Sequence, residues 1–185
     1  RVIREWKRGT PLSAAKTIFE GQAADVSSSV VVTHEPGRRY ERIRRAIDFR
    51  SGENFLRRGE AWVKLDVPGD AILALFDGRI AMQLRTAYKA GERTFKAGSL
   101  IVMDLEKFMA GERGFQPVFE PSPRVTLQGY IATKSALVLD VLDNVNNRIV
   151  EARFEGGAWK HREVAVAKGT SIGISAYDRE KSDDY

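Results

Sequence analysis

With 185 residues, 43% apolar and 30% charged, the chain is long enough for one substantial core or several small repeated units, and too apolar for disorder. No apolar run approaches the ~18 residues of a membrane-spanning helix. Zero cysteines remove disulfides, cysteine-ligated metals and thiol nucleophiles together, and fit a reducing cytoplasm or a periplasm equally.

Val2 to Gly9 alternates roughly and ends at the Gly9–Thr10–Pro11 turn. Leu12 to Ala15 predicts one helical turn before a short strand, Lys16 to Glu20. Ala23 to His34 reads as a strand closed by Glu35–Pro36–Gly37. The stretch Tyr40 to Phe49 is ambiguous: Tyr40, Ile43 and Ile47 recur at helical spacing, whereas Ile43, Ile47 and Phe49 share strand parity. The crowd of short elements around it favours the strand. Asn54 to Arg57 and Ala61 to Val67 follow.

Ala71 to Phe76 and Arg79 to Thr86 flank Asp77–Gly78, the strongest hairpin signal in the chain. Tyr88 to Phe95 is a charged excursion turning at Gly91. Ser99 to Met103 is an apolar strand, and Asp104 to Met109 has an acidic cap and helical spacing. Gln116 to Glu120 returns as strand. The segment 125–166 divides into four strands, near 126–132, 136–142, 147–154 and 158–166, at joints rich in Asp, Asn, Ser and Gly. Thr170 to Tyr177 begins another strand.

Ala24, Ala71, Val125 and Thr170 start successive units, 47, 54 and 45 residues apart. Those periods suit four-stranded propeller blades. The expected fold is all-β: a partial β-propeller of about three four-stranded antiparallel blades with incomplete blades at both ends. The units are 1–22 (partial), 23–68, 69–123, 124–168 and 169–185 (the start of the next). Trp6, Trp62 and Trp159 read as packing between sheets, with a ligand platform the sharper alternative. Phe49, Phe76, Phe119 and Phe154 read as core.

The order and wording of several segments then carry a resemblance. VIREWKRGTPLSAAKTIFEG at 2–21, RAIDF at 45–49, WVKLDVP at 62–68, KAGSLIVMDLEKFMAGE at 96–112, FEPSPRVTLQGY at 119–130 and LVLDVLDNVNNRIVEAR at 137–153 resemble the amino-terminal β-propeller region of the prolyl oligopeptidase family of serine peptidases. The resemblance implies a seven-bladed propeller set over an α/β-hydrolase domain that cleaves short peptides, typically after proline. It implies that the triad and the main proline pocket lie in the hydrolase part, so no catalytic residue carries over onto this chain.

Chemistry within the chain itself is sparse. Gly169–Thr170–Ser171–Ile172–Gly173 matches G-x-S-x-G, but the nucleophile elbow needs a strand, a turn and then a helix, with Asp and His downstream. Here Ser171 fronts a strand-like run, and the twelve residues after Gly173 contain no His. His34 and His161 fall in different units, without cysteine, so no metal site is expected. Asp140 and Asp143 form a near pair whose plainer role is turn hydrogen bonding. Residues 38–58 hold eight Arg against Glu41, Asp48 and Glu53. That patch could meet phosphate, an acidic protein or an anionic substrate, but its plainer reading is the solvated outer face of a strand.

The expected catalytic, cofactor and metal sites are therefore none. The chain, beginning at Arg1 with no apolar leader, reads as a fragment. Its function is the access-gating, substrate-facing part of a peptidase, inactive alone. A hydrolase domain and short peptides are the implied partners, with self-association through open blade edges. No membrane partner is expected. A non-catalytic protein-interaction module is the alternative, and nucleic-acid binding, supported by charge alone, comes third.

Overall fold

Nearly all regular structure is β in the computed structural model, which describes residues 1–167 and 172–185. A two-stranded sheet comes first: β1 (Val2–Glu5) pairs antiparallel with β2 (Lys16–Glu20), and the connection holds a single 3-10 turn at Leu12–Ala14. Three four-stranded sheets follow. The first is β3 (Ser27–Glu35), β4 (Arg38–Ala46), β5 (Gly52–Arg58) and β6 (Ala61–Lys64), in that spatial order. The segment of ambiguous period is thus strand through Ala46.

The second sheet orders β7 (Ile72–Phe76), β8 (Arg79–Gln83), β11 (Leu100–Asp104) and β12 (Gln116–Phe119) side by side. Between β8 and β11 the chain leaves the sheet to make a separate hairpin, β9 (Tyr88–Ala90) with β10 (Arg93–Phe95). The third sheet is the continuous meander β13 (Val125–Ala132), β14 (Ala136–Asp143), β15 (Asn146–Glu155) and β16 (Ala158–Val164).

Local chemistry explains the joints. Asp77 and Gly78 sit at φ 44° and 71°, the pair of left-handed residues that a two-residue hairpin requires. Helix α1 (Leu105–Met109) starts where the Asp104 side chain accepts a hydrogen bond from the Lys107 amide at 2.9 Å, and it buries Leu105 and Phe108. A bulge at Gln128 interrupts the β13–β14 register between Leu127 and Gly129.

The chain divides into two compact units. The first comprises Arg1–Thr33 and Arg39–Asp70; Ile43, Leu56 and Leu65 are its best-buried apolar side chains, and Phe19 meets Phe55 at 5.0 Å between centroids. The second comprises His34–Arg38 and Ala71–Tyr185. Its core joins Phe76, Leu100 and Val102 of the second sheet to Leu137, Leu139 and Ala152 of the third.

Three expectations are corrected. Phe49 is 95% exposed, because β4 ends at Ala46 and the Asp48 carboxylate gathers the Arg50 and Ser51 amides into a tight turn. Strand parity therefore stops short of it. Phe154 is 36% exposed, lying one residue from the end of β15. The strand expected over Thr170–Tyr177 is absent from its described residues 172–177. There Ile172, Ile174 and Ala176 are half-buried and alternate with exposed neighbours, but none pairs into a ladder. Alternation records a face; a strand also needs a partner for its backbone.

The two sides of each four-stranded sheet differ in composition. The first-strand edges are poor in charge: β7 and β13 contain no Lys, Arg, Asp, Glu or Pro, and β3 has Glu35 at its very end. The last-strand edges carry Lys64 on β6, Pro117 on β12, and Lys160, Arg162 and Glu163 on β16.

Candidate functional site

Most residues singled out from sequence are structural in place. Ser171 lies outside the described residues, and from Ile172 to Tyr185 no helix follows, so the elbow's second half is missing there. His34 is exposed on β3, and the His161 ring nitrogen Nε2 lies 2.7 Å from the Val118 carbonyl oxygen. No cluster of metal-ligating side chains occurs among the described residues. Asp140 accepts from the Asn147 side-chain Nδ2 at 2.9 Å and Asp143 from Arg148 at 3.0 Å, so both brace the β14–β15 hairpin.

Within the arginine-rich stretch, Arg45 and Arg57 are drawn into ion-pair networks. Arg45 spans the buried Asp25, at 2.7 and 2.9 Å, and Glu53, at 2.9 Å; Glu53 in turn holds Lys64. Arg57 reaches Glu5 and Glu41 at 3.1 and 3.0 Å and lies over the Trp62 ring. The bond from Arg45 holds the Asp25 carboxyl below its ordinary range, against the opposing effect of burial. At Arg45 and Arg57 the guanidinium charge is thus balanced by neighbouring carboxylates.

A second relay ties down the C-terminal segment. The Asp183 carboxylate accepts from Thr133 Oγ1, the Ser135 amide and Ser135 Oγ, each at 2.7 Å, and from Arg153 at 2.9 Å. Arg153 also meets the buried Glu151, which Arg162 reaches as well. Burial alone would raise the Asp183 carboxyl; the bonds from Ser135, Thr133 and Arg153 outweigh it and hold it well below the carboxylate range. At the tip of the β3–β4 hairpin, Glu35 accepts from the Asp77 amide at 2.8 Å and from Arg179 at 3.0 Å. Here burial prevails and pushes the carboxyl up. These relays were missed in the sequence. Arg45–Glu53 and Glu151–Arg162 are direct cross-strand pairs, so the hairpin registers were the available signal. Nothing local links Asp25 to Arg45, or Asp183 to Ser135.

The second unit holds several concavities, among them one of about 380 Å³ at the β14–β15 turn beside Arg148 and Glu163 and two others. One, about 620 Å³, runs between the edge strands β7 and β13 beside Ile174 and Ala176, and its walls are largely apolar. The other, about 310 Å³, is mixed in character and lies among β8, α1 and the β15–β16 turn. Trp159 and Phe154 form its aromatic wall, 5.4 Å apart between centroids, and Trp159 is backed by Phe76 at 6.4 Å. The Arg79 guanidinium stacks over Phe154 at 4.6 Å and is itself bonded to the Asp77 carboxylate. Of the three tryptophans, Trp159 thus both packs and faces a cleft. Trp6 is 44% exposed and donates to the Thr10 carbonyl within its own turn.

No family model matches the chain. It is similar to an uncharacterized peptidase, y4nA, of Sinorhizobium fredii, at 28% identity over 189 residues that cover 97% of this chain and 26% of that protein. A post-proline cleaving enzyme from Rickettsia typhi superposes with a TM-score of 0.86 at 23% identity, over 97% of this chain and 28% of the enzyme. A structure from work on two prolyl endopeptidases gives 0.59 at 12% identity, over 92% and 25%. The chain spans about a quarter of the length of these relatives. It has the fold of the propeller region of prolyl oligopeptidases, as the resemblance in its sequence implied.

Proposed function

We propose that the chain is a portion of the propeller of a serine-type endopeptidase, and that it bounds the path by which short peptides reach a hydrolase domain that cleaves after proline. The superposition on a post-proline cleaving enzyme over 97% of the chain carries this reading. Its own composition supports a non-chemical role. Among the described residues the charged side chains of the two relays hold one another, and the His161 ring is engaged by the Val118 carbonyl. A propeller beside an active site acts through channel width and domain separation, and leaves bond-making to the triad.

The test is an assay of the purified chain, and of its Ser171→Ala form, against proline-containing fluorogenic peptides. No turnover is expected from either. Turnover present in the chain and lost in Ser171→Ala would overturn the reading. The longer reading frame, assayed in parallel, is expected to hydrolyse the same peptides.

Association of copies through open edges belongs to the same proposal. The β1–β2 pair exposes Val2 (47%), Trp6 (44%) and Leu12 (76%), and has only two strands. Light scattering over a concentration series is expected to show growth above the monomer mass. A strict monomer at roughly 100 μM, where even weak contacts register, would count against it.

A further inference from the structure

The mixed cleft of the second unit has features that its structural role leaves unused. Its volume of about 310 Å³ sits at the lower end of small-ligand sites. Its aromatic wall is fixed in place: Phe76 backs Trp159, and Arg79, tethered by Asp77, holds Phe154. Lys107 and Glu112, exposed at the rim, have no ion-pair partner among the described residues. Gln116 Nε2 makes only a long bond, 3.4 Å, to the Gly157 carbonyl.

This chemistry narrows the ligand. A simple anion would meet Glu112 and Asp104, and a simple cation would meet Arg79 and Lys107, so neither is favoured. A neutral group with an apolar ring and strong acceptor oxygens uses the aromatic wall, Lys107 and Gln116, and leaves Glu112 to solvent at the rim and Asp104 to its bond from the Lys107 amide. Proline in an extended peptide is such a group: its ring packs on aromatic faces, and its tertiary amide accepts hydrogen bonds with no N–H to satisfy. We infer that the cleft among β8, α1 and the β15–β16 turn docks a short proline-containing peptide, the ring against Trp159 and Phe154 and the flanking carbonyls at Lys107 and Gln116. The inference rests on the post-proline reading for its substrate class, but on the cleft for its location.

Trp6→Phe/Trp62→Phe leaves Trp159 as the sole tryptophan reporter. This protein is titrated with acetyl-Ala-Pro-Pro-Ala-amide and with acetyl-Ala-Ala-Ala-Ala-amide, whose capped ends remove terminal charge. A saturable change in Trp159 emission is expected, with the proline peptide about fivefold tighter, the scale of an aromatic contact. Phe154→Ser and Lys107→Gln, both at accessible positions, should each weaken it at unchanged circular dichroism. The Trp159 indole N–H resonance in the otherwise native chain gives the same readout if the double variant folds poorly. No saturation by roughly 10 mM, equal affinity for the two peptides, or indifference to Phe154→Ser would overturn the site. Post-proline cleavage by the longer reading frame is scored separately. Binding here without cleavage there removes the peptidase reading and keeps the cleft; cleavage without binding does the reverse.

Discussion

Both compact units contain an ion-pair relay, Asp25–Arg45–Glu53 in the first and Asp183–Arg153–Glu151 in the second, but they differ in the apolar packing that stands beside it. In the second, two sheets share an apolar core in which Leu100, Leu137 and Leu139 are at most 1% exposed. In the first, Ile43 and Leu56 are equally buried, but Asp25, Arg45, Glu53 and Lys64 run through the sheet as a relay, and Val30, Val31 and Val32 stand 41 to 45% exposed. Apolar burial is non-directional and indifferent to pH. A relay demands every member, since losing one partner strands a charge that burial has separated from water. The lesson is that two regions of one β chain have different weaknesses.

The sharpest way to break this contrast is in the core. Leu139→Ala should cost about 2–5 kcal/mol in urea unfolding, whereas Phe49→Ala at its exposed turn should change stability by less than about 0.5 kcal/mol. Comparable losses at both positions would remove the distinction.

Next comes the relay. Arg45→Met leaves the Asp25 carboxylate, whose side chain is 2% exposed, without its cation, and the first unit should open before the second in hydrogen-exchange mass spectrometry. Adding Asp25→Asn should recover part of the loss. In the native chain the Asp25 carboxyl is lowered relative to the unfolded state, so its contribution is complete above the ordinary carboxylate range. It is lost as pH falls through the depressed value. Protection in the first unit should therefore decline in acid. Constant protection down to pH 3, below the ordinary carboxylate value, would sink the claim.

Gly78→Ala is a smaller perturbation in the second unit. Residue 78 sits at φ 71°, and an added Cβ would lie 3.3 Å from the Arg38 guanidinium carbon. About 1–2 kcal/mol is expected from the left-handed backbone, visible as a shift in urea midpoint at constant slope. Asp183→Asn should act most locally, raising exchange at the Ser135 amide about tenfold while global unfolding changes little. Two acids steady this terminal segment with opposite pH signs. The Asp183 contribution fades as pH falls through its lowered value, whereas that of Glu35, raised by burial, is complete below the ordinary carboxyl value and is lost as pH rises. Equal exchange at Ser135 in wild type and Asp183→Asn would show that the carboxylate does not hold the turn.

Much of the fold was legible because short-range chemistry decided it. Asp77–Gly78, Gly91, the Asp104 cap and the four strands of 125–166 are local choices, and each formed where its residues predicted. Phe49 failed because parity was extended through a turn that Asp48 organises. Residues 172–177 failed because alternation reports burial without reporting a partner. The cleft was half visible: Trp159 was singled out, but Arg79, Lys107 and Phe154 meet it only after β8, α1 and β15 have folded. Contacts of that kind follow from packing, and no window of sequence contains them.

The unequal sheet edges have a consequence for handling and evolving such a chain. A sheet with one armed side and one bare side has a polarity: its unarmed backbone is the side open to a further strand, at β3, β7 or β13 rather than at β6, β12 or β16, although Arg179 already donates to the Leu75 carbonyl of β7. Three such sides on one chain could hold more than one neighbour at once, so edge pairing by itself would set no limit on growth. Pro117 and the charges of β16 close their own sides. Arming the opposite sides in the same way would remove a route to polymers.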